Sequence, residues 1–177
     1  MKILFVCLGN ICRSPLAVGI LQKQVNDLGL DWQVASAGLA NKYIGCTADP
    51  RVVQVANKHG IDLSNHIARK FQSSDFDKYD MLITMNDDLA SKIRAKANNL
   101  TQADKVWLLP DFLDGLAEEI NLPDPYFWEV PLFESLFHKI EAACQILILT
   151  FNTPDILALF DDTVTRNALD LEQRQRV

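Results

Sequence analysis

Short apolar runs alternate along the chain with segments in which apolar residues recur every three or four positions. Residues 2–6 form an apolar run that stops before Gly9, a pattern typical of a strand buried on both faces. Helical spacing follows over 16–28, and Ser14-Pro15 is the expected N-cap and first-turn proline. The same alternation predicts further strands over 32–35, 79–84 and 105–109, and further helices over 50–59, 87–97 and 132–149.

This strand–helix alternation predicts an α/β fold, a three-layer sandwich in which helices cover both faces of a four-stranded parallel sheet. Ligands in such sheets bind at the carboxyl ends of the strands. The turn between the first strand and the first helix is therefore the first place to look for a site.

Composition and charge narrow the function. The 177 residues are 49% hydrophobic and 23% charged, which is ordinary for a globular protein. With 17 basic and 23 acidic residues the net charge is −6, which argues against nucleic acid as a partner. No segment approaches the ~20 apolar residues of a membrane helix, and the apolar N-terminal run is too short for a signal sequence. We therefore expect a cytoplasmic protein without a membrane partner.

The four cysteines are scattered, so they predict neither a disulfide scaffold nor a zinc site. Cys7 lies at the end of the first predicted strand, and Arg13 follows after five intervening residues. A loop that curls between a strand and a helix N-terminus directs successive backbone N–H groups inward. Gly9 permits the necessary backbone conformations, and the guanidinium of Arg13 can bind two phosphate oxygens. The sequence thus predicts a local anion site despite the negative net charge.

The same donors would stabilise a thiolate on Cys7, with a further hydrogen bond from Ser14. The alternative is that Cys7 is a buried core cysteine at a strand end. The joint occurrence of cysteine, glycine, asparagine, arginine and serine at one strand–helix junction favours a nucleophile. The residues expected to bind phosphate beside Arg13 are Leu8, Gly9, Asn10, Ile11, Cys12 and Ser14.

The stretch from Cys7 to Pro15 resembles the signature of the low-molecular-weight protein tyrosine phosphatases. Segments that resemble the family follow in the same order, namely Ser36-Ala37-Gly38, Asp49-Pro50-Arg51, residues 60–69 and Asp124-Pro125-Tyr126. The resemblance implies a phosphatase domain over 1–152 that needs no metal or cofactor. Residues 153–177 would form a C-terminal extension, and the spacing of its apolar residues predicts a helix. We expect the protein to be a monomer or a weak homodimer.

Ester cleavage needs a proton donor for the leaving oxygen, and the residues alone leave Asp111, Asp114 and Asp124 as loop candidates. The resemblance selects Asp124, since the family's general acid is the aspartate of an Asp-Pro-Tyr/Trp loop. It implies phosphotyrosine hydrolysis through a phosphocysteine at Cys7.

The resemblance also implies that Asn10, Ser36 and His66 form a hydrogen-bond network that supports the loop, although His66 alone would suit a surface or capping role. The expected pocket wall is Lys42, Tyr43, Tyr126 and Phe127. Lys42 departs from the aromatic residue usual in the family. Related arginine phosphatases carry threonine at the position of Ile11, so the bulkier side chain favours phosphotyrosine proteins as substrates.

Three alternatives remain. The first is a protein arginine phosphatase. The second is a thiol-linked arsenate reductase, which needs two further cysteines near the site, whereas Cys46 and Cys144 are far apart in sequence. The third is a non-catalytic phosphate-binding module, which would not need a nucleophile. The resemblance also implies redox regulation, because a cysteine at the position of Cys12 can form a reversible disulfide with Cys7.

Overall fold

The computed structural model of the protein describes residues 1–113 and 132–152. The strands are β1 (Lys2–Cys7), β2 (Gln33–Gly38), β3 (Met81–Thr84) and β4 (Val106–Leu108). The helices are α1 (Arg13–Asp27), α2 (Pro50–Lys58), α3 (Asp75–Lys78), α4 (Asp87–Arg94), α5 (Leu100–Ala103) and α6 (132–152), with 3₁₀ turns at Asn41–Tyr43 and Pro110–Leu113. Each strand and helix predicted within these described ranges is therefore present.

The four strands pair in parallel in the order β2-β1-β3-β4, which confirms the predicted parallel sheet. β1 is central, and its residues Ile3 to Val6 are fully buried, as the continuous apolar run predicts. Leu4 and Val6 lie in a core cluster with Ala90 and Ile93 of α4. Alternate residues of β1 point to the opposite face of the sheet, and α1 packs against β1 and β2.

The chain divides into two compact units, Met1–Gln145 and Ile146–Val177, with the boundary inside α6. The first unit contains the sheet and the candidate site. In the second, the described residues are helical, and the Thr150 hydroxyl donates to the carbonyl of Ile146. The predicted extension over 153–177 lies outside the described residues, so the boundary at 152/153 stays a prediction. Among the described residues, no helix has the length and apolar character needed to cross a membrane.

One local prediction is wrong. α1 begins at Arg13 with Cys12 as N-cap, so Ser14 lies inside the first turn and does not cap the helix. The reason is tertiary, since the Ser14 hydroxyl is hydrogen-bonded to the side chains of Cys7, at the end of β1, and of Asn10 in the following loop. The glycine expected to end α1 does lie just beyond it, and Gly29 adopts the left-handed conformation common after helices, with φ +67°.

Candidate active site

The thiol of Cys7 lies at the carboxyl end of β1, beside the first turn of α1. Its sulfur is 3.0 Å from the Ser14 hydroxyl oxygen and accepts a hydrogen bond from the Asn10 backbone N–H at 3.1 Å. The cysteine is only 3% exposed. These donors and the N-terminal end of a helix all favour negative charge at this position, so the surroundings suit a thiolate.

Asn10 holds the loop in shape. Its φ of +58° lies in the left-handed region, where no other non-glycine residue of the described ranges is found. Asparagine tolerates this backbone conformation well. Its fully buried side chain donates from Nδ2 to Ser14 Oγ at 2.9 Å and to Ser36 Oγ at 2.8 Å. Its Oδ1 accepts from the Arg69 backbone N–H at 3.0 Å. The structure thus brings together Asn10, Ser14 and Ser36.

His66 contacts the same residue from the other side, because its Nε2 lies 2.7 Å from the Asn10 carbonyl oxygen. Burial lowers the pKa of His66, although the hydrogen bond to the carbonyl opposes that shift. A neutral imidazole that faces a carbonyl must donate its N–H, so His66 donates to the loop backbone. Its place in the structure is therefore at the loop and not at a helix cap.

The segment after His66 also anchors the loop. Arg69 donates its backbone N–H to Asn10 and its guanidinium to Asp75 at 2.9 Å. Asp75 is 2% exposed and also accepts from the Gln72 backbone N–H. Sequence reasoning missed Arg69, because a contact through a backbone N–H requires no particular side chain. It missed Asp75 because no motif distinguishes this carboxylate from a surface one.

Two glycines permit close packing around the loop. A Cβ on Gly38, the last residue of β2, would lie 3.0 Å from the backbone nitrogen of Asn10 and from the carbonyl carbon of Gly9. A Cβ on Gly9 would lie 2.8 Å from the ring of Tyr43. Residues just after β2 complete the packing, since Leu39 donates its N–H to the carbonyl of Cys7. The end of β2 therefore serves as a backbone support for the loop.

The far end of the loop is attached to the start of α2. The Asp49 backbone N–H donates to the carbonyl of Ile11 at 2.8 Å, and its carboxylate accepts from the Arg51 guanidinium at 2.7 Å. The pKa of Asp49 lies below its usual value, chiefly because of the hydrogen bond from Arg51, with a smaller contribution from the Cys12 thiol. Arg13, the other predicted catalytic residue, is 3% exposed as the first residue of α1.

Two of the residues predicted to form the pocket wall, Lys42 and Tyr43, lie in the 3₁₀ turn Asn41–Tyr43. The Lys42 ammonium lies 5.1 Å from the centre of the Tyr43 ring, and that ring lies against Gly9. Leu8 is 44% exposed, and Ile11 is partly buried. The predicted acid Asp124 and the wall residues Tyr126 and Phe127 lie outside the described residues.

A cleft of about 480 Å³ lies elsewhere, between α1 and residues 60–66, with His66 in its lining. It includes none of the loop residues that surround Cys7. The chemistry of the donors, rather than the volume of the cleft, therefore identifies the candidate site.

Comparisons with known proteins agree with this geometry. A sequence model of the family Low molecular weight phosphotyrosine protein phosphatase matches residues 2–159. A low molecular weight protein-tyrosine-phosphatase of Streptomyces coelicolor is 37% identical over 150 residues, 83% of this chain and 91% of the relative. A protein tyrosine phosphatase structure from Entamoeba histolytica has a TM-score of 0.81 and 30% identity over 88% of this chain and 99% of that one. A Drosophila arginine phosphatase has a TM-score of 0.80 and 31% identity over 86% and 98%. The chain therefore belongs to the low molecular weight phosphotyrosine protein phosphatase family of hydrolases.

Proposed function

We propose that the protein hydrolyses phosphotyrosine monoesters in phosphoproteins through a phosphocysteine formed on Cys7. The observation that carries this proposal is the position of the Cys7 sulfur. It lies within 3.1 Å of both the Ser14 hydroxyl and the Asn10 N–H, at the start of a helix whose first residue is Arg13. A buried structural cysteine would not need this set of donors.

The first step is attack of the Cys7 thiolate on phosphorus, with departure of the tyrosine oxygen. Arg13 and the loop N–H groups bind the phosphate oxygens, whose charge they stabilise through the transition state. Asp124, which stays a sequence-based assignment, protonates the leaving oxygen. Asp124 then removes a proton from the water that attacks the phosphocysteine. Ser14 stabilises the Cys7 thiolate as it leaves, so the enzyme returns to its starting state.

Hydrolysis of para-nitrophenyl phosphate in the presence of a chelator tests this mechanism. We expect Cys7→Ser to lose at least about 10³-fold in kcat. Cys46→Ser is the matched control, because it removes an exposed cysteine. Asp124→Ala should lose about 10²–10⁴-fold, the usual contribution of a general acid. Unchanged turnover by Cys7→Ser would refute the phosphocysteine.

Phosphoarginine proteins are the second candidate substrates, because the Drosophila arginine phosphatase structure is about as similar to this chain as the Entamoeba histolytica tyrosine phosphatase structure, with TM-scores of 0.80 and 0.81. Ile11 and the ring of Tyr43 favour the flat phenyl group of phosphotyrosine, since both add apolar surface beside the loop. Competition between matched phosphotyrosine and phosphoarginine peptides decides between the two substrate classes. We expect Ile11→Thr to shift the ratio of kcat/KM towards phosphoarginine.

An arsenate reductase would need Cys46 and Cys144 as relay thiols. Cys144 is fully buried, and desolvation raises its pKa far above the usual value for a thiol. A thiol that does not ionise cannot carry disulfide exchange. The burial of Cys144 therefore argues against arsenate reductase activity.

We further propose that oxidation reversibly blocks the enzyme. Peroxide would convert the Cys7 thiolate to a sulfenic acid, and the Cys12 thiol would displace hydroxide to give a disulfide and water. We also propose that the protein acts in the cytoplasm, because thiols are kept reduced there and the mechanism needs Cys7 as a free thiolate. Mass spectrometry after peroxide treatment should detect a Cys7–Cys12 bridge that thiols reverse. Sulfonic acid at Cys7 without any bridge would contradict this.

A further inference from the structure

Three side chains with metal-ligand atoms meet at the C-terminal end of α2. His59 follows the last residue of α2, and Glu134 and His138 lie one turn apart on α6. One ligand atom of each lies within 4.8 Å of the others, and within the described ranges no other group of this kind is found. None of the three belongs to the phosphate loop or its supports. We propose that His59, Glu134 and His138 form a binding site for a divalent transition metal, with Zn²⁺ as the expected ion.

The geometry is close to what Zn²⁺ requires. In a tetrahedral site with bonds of about 2.0–2.1 Å, neighbouring ligand atoms are about 3.3 Å apart. Nε2 of His59 and Oε1 of Glu134 are 2.5 Å apart as a hydrogen-bonded pair, so a metal bound to both would replace their shared proton and separate the two atoms by about 0.8 Å. His138 is exposed and on a helix, so a change of rotamer can close the remaining gap.

The ligand set also indicates the class of metal. Two imidazoles and one carboxylate suit Zn²⁺ and its neighbours, whereas Mg²⁺ and Ca²⁺ prefer sites made of oxygen atoms. Three protein ligands leave a fourth position for water, as in open zinc sites.

Packing fixes one ligand in advance. The ring of His59 stacks on Phe137 with centroids 3.8 Å apart and planes 14° from parallel. A ring held in this way loses little freedom when a metal binds. The partial negative charge at the C-terminal end of α2 also favours a cation at His59.

One charge acts against the site. The Lys58 ammonium lies 3.4 Å from Oε2 of Glu134 and would repel a metal ion. Its side chain is 53% exposed, so it can move into solvent when a metal binds. Removing this ammonium should therefore tighten metal binding, a result that a purely structural His59–Glu134 ion pair does not predict.

The test is calorimetric titration of Zn²⁺ into the full chain carrying Cys7→Ser and Cys46→Ser, which removes the proposed nucleophile and the exposed thiol as competing ligands. We expect one Zn²⁺ per chain, a higher melting temperature with Zn²⁺, and no response to Mg²⁺. In that background, His138→Ala should weaken binding by at least about 10-fold, as even outer partners of a metal ligand contribute that much. Lys139→Ala is the matched control on the neighbouring exposed position and should bind normally.

Two further measurements keep the outcome clear. Lys58→Ala should bind several-fold more tightly, and Co²⁺ in place of Zn²⁺ should give the visible absorption of a four-coordinate site, lost in His138→Ala. Because His138 is exposed, its variant tests the site even if His59→Ala fails to fold. Absence of saturable Zn²⁺ binding, or equal binding by His138→Ala, would overturn the proposal. The phosphatase assay is not involved, so the proposed function and this site can fail independently.

Discussion

Replacing Asn10 by alanine should be among the most damaging single changes at the loop. The substitution removes three side-chain hydrogen bonds, to Ser14, to Ser36 and from Arg69. At about 1 kcal/mol each, they contribute about 3 kcal/mol to the free energy of unfolding. Alanine at a φ of +58° adds about 1 kcal/mol of strain, for a total of about 4 kcal/mol.

Urea denaturation of three variants measures this loss. Their free energies of unfolding can be compared if the slope m, the change in that free energy per molar urea, is the same in all three. Asn10→Gly loses the same hydrogen bonds without the strain, so its loss should be about 1 kcal/mol smaller than that of Asn10→Ala. Ser36→Ala loses one bond and should cost about 1 kcal/mol. If Asn10→Ala costs no more than Ser36→Ala, the network does not hold the loop. If the glycine and alanine variants have the same free energy of unfolding, alanine causes no backbone strain at this position.

Other changes test neighbouring contacts. Gly38→Ala should cost about 1–3 kcal/mol in urea denaturation, because its Cβ would lie 3.0 Å from loop backbone atoms that cannot easily move. Ser14→Ala should slow breakdown of the phosphocysteine by about 10-fold or more, visible as a burst of para-nitrophenol; a steady rate equal to wild type would contradict this. Unfolded His66 takes up a proton near the ordinary histidine pKa of 6.5, whereas in the folded chain its pKa is lower. Because the unfolded chain then binds more protons, the free energy of unfolding should fall as the pH drops below 6.5. His66→Gln should reduce that slope, and an unchanged slope would show that another group is responsible.

The sequence predicted the sheet, the longer helices and the loop residues, because these follow from local periodicity and from a compact motif. It misassigned Ser14 as a helix cap, since residue preferences at helix ends are local whereas the sulfur that engages this hydroxyl belongs to β1. It could not identify Arg69, whose contact with the loop is made by a backbone N–H. The four-residue helices α3 and α5 span about one turn, too little for a helical period to show.

A chain with a net charge of −6 can bind a phosphate dianion because the groups close to the loop, and not the net charge of the whole chain, determine the local electrostatic potential. The first turn of α1 contains no acidic residue, whereas the first turn of α4 contains Asp87 and Asp88, which already interact favourably with the helix dipole. The carboxylates of Asp49 and Asp75, which interact with the loop or its supports, are paired with Arg51 and Arg69, respectively. The N-terminal end of α1 therefore keeps its partial positive charge for the Cys7 thiolate and the incoming phosphate. An acidic residue introduced in the first turn of α1 should for this reason raise KM for phosphate esters more than the same charge added to the first turn of α4.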